Sequence, residues 1–240
     1  MELYGKKLSV LRKALQTKGI DIYILPSSDP HLSEYVPDHW RIIEWLTGFT
    51  GSAATVVVTN TFAGLWTDSR YYVQAEMQLE GTGFQIIRPE AFSWNTYMDF
   101  ILEEVQRKMK IGLDGRIFSI SDFRMLAEKL KGSDVCFDTE CTVIDGIWKG
   151  RPLLPCSQAY DHPVELAGKG RADKISEVRR IMNQRGADFQ LLTSPDDIMW
   201  LLNIRGNDFK YSPLLLSFAI IGNDQILFFT GESGIPSKIA

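Results

Sequence analysis

The sequence predicts an α/β fold laid down twice: a mixed-sheet first unit, then a second, related α/β unit that is incomplete. Three observations predict it. Short apolar runs of strand length alternate with stretches of helical periodicity along the 240 residues. The segment Gly19-Ile-Asp-Ile-Tyr-Ile-Leu-Pro-Ser-Ser-Asp29 recurs as Gly186-Ala-Asp-Phe-Gln-Leu-Leu-Thr-Ser-Pro-Asp196. The first copy then runs on for about 70 residues past its hairpin, Ser69 to Asp138, whereas nine remain in the second, Glu232 to Ala240.

Each element has a local cause. Leu8, Leu11 and Leu15 recur at helical spacing, and Gly19 ends that helix where a left-handed cap is expected. Ile20 to Leu25 reads as a buried strand closed by Pro26, Ser27, Ser28 and Asp29. An aromatic-rich loop leads to a brief helix, Ile42 to Leu46, that stops at Gly48. Thr55 to Thr59 and Phe62 to Trp66 form a hairpin about Asn60-Thr61. Asp68 caps a helix from Ser69 to about Leu79, and Phe84 to Arg88 is a strand. Met98, Ile101, Leu102, Val105 and Met109 form one helical stripe. A strand at Ile111 to Leu113, a helix bearing Phe123, Leu126 and Leu130, and a strand near Val135 to Phe137 complete the first unit.

The expected division is 1–146, a linker over 147–168 where Pro152, Pro155 and Pro163 accumulate, and 169–240. Helical spacing resumes at Ile175, Val178 and Met182 and stops at Gly186. Trp45-Leu-Thr-Gly-Phe-Thr-Gly51 aligns with Trp200-Leu-Leu-Asn-Ile-Arg-Gly206, and Val56 to Asp68 with Ala219 to Gly231. Gly19 and Trp45 are 26 positions apart but Gly186 and Trp200 only 14, which places 12 extra residues within Pro30 to Arg41 of the first copy.

Composition narrows the function. A net charge of -4 and a pI near 5.5 offer no basic face for a phosphate backbone, so no nucleic-acid partner is expected. The longest apolar run, Leu214 to Ile221, is broken by Ser217 and falls far short of the ~20 residues a membrane span takes. Met1 to Leu11 lacks the apolar core of a secretory leader. With Cys136, Cys141 and Cys156 expected as reduced core residues, a cytoplasmic protein without a membrane partner is predicted.

The usual catalytic patterns are missing. His31, His39 and His162 form no HExxH, and there is no GxSxG. Gly48-Phe-Thr-Gly-Ser52 lacks the Lys-Ser/Thr of a phosphate loop and reads as a turn entering the hairpin. No catalytic or metal-ligating residue is assigned, and no cofactor is expected in this segment. Two places stand out. The insertion Asp29 to Arg41 is dense in His, Tyr, Trp, Glu and Arg, the composition of a binding loop as readily as of an anchored one. Arg70 follows a capping Asp68 into the first turn of a helix, where a cation is mildly unfavourable; its planar fork suits an anion or a carbonyl.

These same stretches carry a resemblance. Pro26 to Tyr35, Thr47 to Ala53, Leu65 to Tyr71 and Asn203 to Asp208 with Ser217 to Gly222 resemble the amino-terminal portion of cytosolic-type Xaa-Pro aminopeptidases, in the creatinase/prolidase group. The resemblance implies two creatinase-type domains ahead of a carboxy-terminal catalytic domain that holds two divalent metal ions, commonly manganese. It further implies a metal-dependent hydrolase acting on short proline-containing peptides, with this segment alone inactive and a homodimer possible. It implies substrate-binding roles for Arg70, Glu34 and Tyr35. Ser69 stands where the family has Gly, Ala54 departs from its Gly-Ser-Ala-Gly, and Lys210 to Pro213 departs from its acidic stretch. A stand-alone binding or assembly module of the same fold is the alternative, and a creatine-like or dipeptide hydrolase of the group a third.

Overall fold

The structure, a computed structural model, describes residues 2–88, 96–231 and 234. It divides into two compact units, Met1–Pro152 and Leu153–Ala240. Apart from Gly234, the tail from Glu232 to Ala240 lies outside the described residues.

In the first unit the helix α1 (Glu2–Thr17) ends before Gly19, which sits at φ +64. The strand β1 (Ile22–Pro26) follows, then a single 3-10 turn (Asp38–Trp40) and α2 (Ile42–Thr47), closed by left-handed Gly48. The hairpin β2 (Ala54–Val58) and β3 (Ala63–Thr67) leads through a 3-10 turn (Ser69–Tyr71) into α3 (Tyr72–Leu79) and β4 (Gln85–Ile87). After α4 (Thr96–Glu104) come β5 (Met109–Leu113), α5 (Ile120–Lys129), β6 (Val135–Asp138) and α6 (Val143–Ile147).

These strands make one sheet ordered β4-β3-β2-β1-β5-β6. Only β2 runs against the rest. Both faces are covered. Tyr23, Leu25, Val56 and Val58 point to the side packed by Leu8, Leu11 and Leu15 of α1. Ile22, Ile24 and Val57 point to the opposite side, under Met98 and Ile101 of α4 and Leu126 of α5. Two-sided burial explains why β1 reads as an unbroken apolar run.

The second unit begins with β7 (Tyr160–Asp161), α7 (Val164–Ala167) and α8 (Arg171–Arg185), which ends before Gly186 at φ +64. Then come β8 (Phe189–Leu192), α9 (Pro195–Leu202) with left-handed Asn203, β9 (Ile204–Arg205), β10 (Ser217–Gly222) and β11 (Ile226–Thr230). The three-stranded sheet β11-β10-β8 repeats the first unit residue by residue. Ile24 faces Val57 where Leu191 faces Ile220, and Leu25 faces Val56 where Leu192 faces Ala219. Val56 faces Leu65 where Ala219 faces Phe228. Gly48 and Asn203, aligned in the sequence, both close their helices in the left-handed region.

Several expectations need correction. The stripe from Met98 to Met109 is not one helix: α4 stops at Glu104 and Met109 opens β5, opposite Val135. Lys108 turns the chain there at φ +65, and parallel pairing overrides the helical periodicity. Cys136 and Cys156 are exposed and only Cys141 is buried; Cys136 lies on the sheet's edge strand. Over 147–168, Tyr160 and Asp161 pair with β9 and Ala159 joins the second unit's core, because that backbone finds partners in the unit that follows.

Candidate functional site

Since β1, β3 and β5 run the same way, their carboxyl ends open on one edge of the sheet, where ligands bind in open α/β folds. A cleft of about 500 Å³ lies there. Its floor carries Ser27 and Ser28 from the end of β1, Ser52 to Thr55 from the start of β2, and Trp66 to Asp68 from the end of β3. The walls are Tyr72 of α3, Thr96 and Tyr97 of α4, and Ile117 to Ser119 with Asp122 leading into α5. Among the described residues the lining holds hydroxyls, aromatic rings and two carboxylates but no Lys, Arg or His.

Arg70 stands on the rim, held by the residue that caps its own turn. Asp68 accepts the Arg70 backbone N–H at 2.9 Å, Nε–H at 2.9 Å and an Nη2–H at 2.8 Å. Hydrogen bonds from Arg70 hold the Asp68 carboxyl below the usual carboxylate range, and the pair raises the guanidinium in return. The Asp68 side chain is 4% exposed and that of Arg70 66% exposed. The guanidinium lies 5.3 Å from the Tyr71 ring centroid, and the Tyr71 hydroxyl meets Ser52 at 2.8 Å. Two of five N–H donors are spent on Asp68, so the outer edge of the fork keeps donors for a ligand.

The same device recurs after β5. Asp114 accepts the Arg116 N–H at 3.0 Å, its Nε–H at 2.9 Å and its Nη2–H at 2.6 Å. There the arginine has a second carboxylate partner: Arg116 also reaches Asp145 at 2.9 Å and lies 5.3 Å from the Trp40 ring centroid. Arg151 covers Trp40 at 4.9 Å, pairs with Asp145 and donates to the His39 carbonyl at 2.8 Å. Trp40 thereby pins the far end of the insertion loop, while Asp29 fixes its start by accepting the His31 and Ser33 backbone N–H groups. Sequence reading missed this latch. Its one available signal was the repeated Asp-x-Arg of Asp68-Ser-Arg70 and Asp114-Gly-Arg116.

Of the residues singled out from the sequence, Glu34 and Tyr35 are exposed on the insertion loop, and neither lines the cleft. Their neighbours Leu32 and Ser33 do. Arg70 therefore touches the cleft only through its contact with Asp68, and Glu34 and Tyr35 follow the lining residue Ser33 in the chain without lining the cleft themselves.

The fold has counterparts among known proteins. A family model described as the creatinase/prolidase N-terminal domain matches residues 7–145, and a second model of the same description matches 150–240. Xaa-Pro aminopeptidase 1 of Dictyostelium discoideum is 32% identical over 98% of this chain, which spans 39% of that relative. A probable Xaa-Pro aminopeptidase P of Paracoccidioides brasiliensis is 33% identical, with 38% of its length covered. The crystal structure of X-prolyl aminopeptidase from Caenorhabditis elegans, described as a cytosolic enzyme with a di-nuclear active site, superposes with TM-score 0.88 at 31% identity. That match covers 98% of this chain and 40% of the C. elegans chain. With one model spanning more than half of its length and a related one the remainder, this chain belongs to the creatinase/prolidase N-terminal domain family and carries that domain in two related copies.

Proposed function

We propose that the chain is the amino-terminal region of a metal-dependent Xaa-Pro aminopeptidase, which hydrolyses the bond between an amino-terminal residue and proline. The observation that carries this is the C. elegans superposition, TM-score 0.88 over 98% of the chain. Among the described residues no three His, Cys, Asp or Glu stand together as metal ligands. In this reading two divalent ions, manganese by preference, belong to a carboxy-terminal catalytic domain, this chain's principal partner. That domain's ions would supply an activated water and polarise the scissile carbonyl.

The residues of this chain have a different task. The exposed edge of Arg70, aimed and held by Asp68, is suited to receive a peptide carbonyl or carboxylate; Glu34 and Tyr35 border the same substrate from the insertion loop. The first unit shapes the substrate cleft, and the second spaces it from the catalytic domain. A cytoplasmic location fits the cytosolic description of the C. elegans enzyme, and a homodimer belongs to the same proposal. In the C. elegans-type full-length enzyme with manganese, Arg70→Ala is expected to lower kcat/KM for an Xaa-Pro tripeptide by about ten- to a hundred-fold, the size of a lost charge-assisted hydrogen bond. The 240-residue chain alone is expected to show no turnover. Wild-type kinetics in the variant would remove Arg70 from the site.

A further inference from the structure

The cleft beneath Arg70 has a chemistry that the peptidase reading does not use. Its two carboxylates differ. Asp68 is neutralised by the bidentate Arg70 pair. Asp122, at the start of α5, is not. Its backbone N–H donates to Ser119 Oγ at 2.9 Å, and its Oδ2 accepts the Ser119 hydroxyl at 2.8 Å. Its Oδ1 has no hydrogen bond and no cation pairs with it among the described residues. The reciprocal Ser119–Asp122 contact caps the helix and fixes the carboxylate's direction without spending its charge.

The walls sharpen that charge. Tyr97, 4% exposed, stands near Asp122, and burial together with the Asp122 charge keeps its phenol protonated, so it can accept from a ligand as a neutral hydroxyl. Trp66 and Phe118 give the cleft apolar walls, and Leu32 stands at its mouth. Ser28 leads into Asp29, fully buried, whose Oδ2 has no partner among the described residues. An unpaired carboxylate in a partly dehydrated cleft, with no basic side chain among the described lining residues, repels anions and attracts cations. Its volume is that of a small-molecule site.

We propose that this cleft binds a small organic cation, with a primary ammonium against Asp122, Ser119 and the Tyr97 hydroxyl and an apolar body along Trp66 and Phe118. The ammonium offers three donors and the cleft answers with acceptors. The ring or alkyl body is held by the aromatic walls. This binding goes beyond the peptidase reading and is measured on the chain itself, so its failure leaves that reading standing.

The test compares three near-isosteric probes at neutral pH by isothermal titration: 2-phenylethylamine, 2-phenylethanol and 3-phenylpropionate. The amine is expected to bind saturably, the alcohol about ten-fold or more weakly, and the acid weakest, since a charge-assisted hydrogen bond is lost and then reversed in sign. Asp122→Asn keeps the Ser119 contact geometry and is expected to lose that ten-fold preference while binding the alcohol as before. Tyr97→Phe, which preserves the ring packing, is expected to weaken the amine alone. Equal affinity for amine and alcohol, unchanged amine binding in Asp122→Asn, or no saturable amine binding up to about 10 mM would each overturn the proposal.

Discussion

Arg70 and Arg116 show how the same local device serves two ends. Each arginine is clamped by the aspartate two residues earlier, after a strand that runs toward the cleft. Arg116 goes on to Asp145 and Trp40 and becomes part of the framework, whereas Arg70 keeps an exposed edge. The Asp68 pair also carries a pH signature. Folding lowers this carboxyl's pKa, so the unfolded chain takes up the proton more readily. The stabilisation is complete above the unfolded value near ~4 and is lost as pH falls through the folded one. Thermal melts should therefore show Asp68→Asn below wild type in Tm at pH 7, with the gap closing toward pH ~2–3. A gap that stays constant across that range would mean that the carboxylate charge contributes nothing. Arg70 was legible in the sequence as a cation in an awkward place. Its partner's second role, and the whole of Asp122, were not, because a capping aspartate looks the same whether or not its charge is spent.

At the scale of elements, the two copies share their punctuation. Gly19 and Gly186 both end a helix at φ +64, and a Cβ at either would meet nothing within 4 Å. The cost of Gly→Ala there is purely one of backbone conformation, about 1 kcal/mol at each position. Calorimetry of Gly19→Ala should show a Tm lower by roughly 2–4 °C. Gly186→Ala should show a similar loss in the second unit's transition. Gly51 is a different case: an added Cβ would stand 2.2 Å from the ring of Phe49, itself 1% exposed, so Gly51→Ala must displace a buried ring. Steric overlap of that kind costs typically ~1–3 kcal/mol, more than either helix-ending glycine. Helix ends, strands and hairpins were readable because turn chemistry and periodicity act over a few residues. The α4–β5 boundary was not, because pairing with β1 and β6 decides it.

Across the whole molecule the repeat exposes an asymmetry. In the first unit Ile22, Ile24 and Val57 lie under α4 and α5. Their counterparts Phe189, Leu191 and Ile220 share a sheet face with Leu227 and Phe229, and Phe189 is 65%, Leu191 58% and Phe229 51% exposed. An apolar sheet face of this kind invites association. Sedimentation of the 240-residue chain should show concentration-dependent self-association. The double substitution Leu191→Lys, Phe229→Lys should suppress it with little change in Tm, since exposed substitutions stay within about 0.5 kcal/mol. Association unchanged by the pair of lysines would place the contact elsewhere.

What the amino-acid sequence determined by itself is most of the helix ends and strands, the duplication, the 12-residue insertion of the first copy and the family. Those features rest on periodicity, turn residues and self-similarity, all written along the chain. Only the tertiary structure decided which side chains meet. Asp122 shares a cleft with Trp66, and Arg116 and Arg151 both meet the Trp40 ring, across long stretches of sequence. Such neighbours are chosen by sheet order and helix packing, interactions between distant residues that leave no local pattern to read.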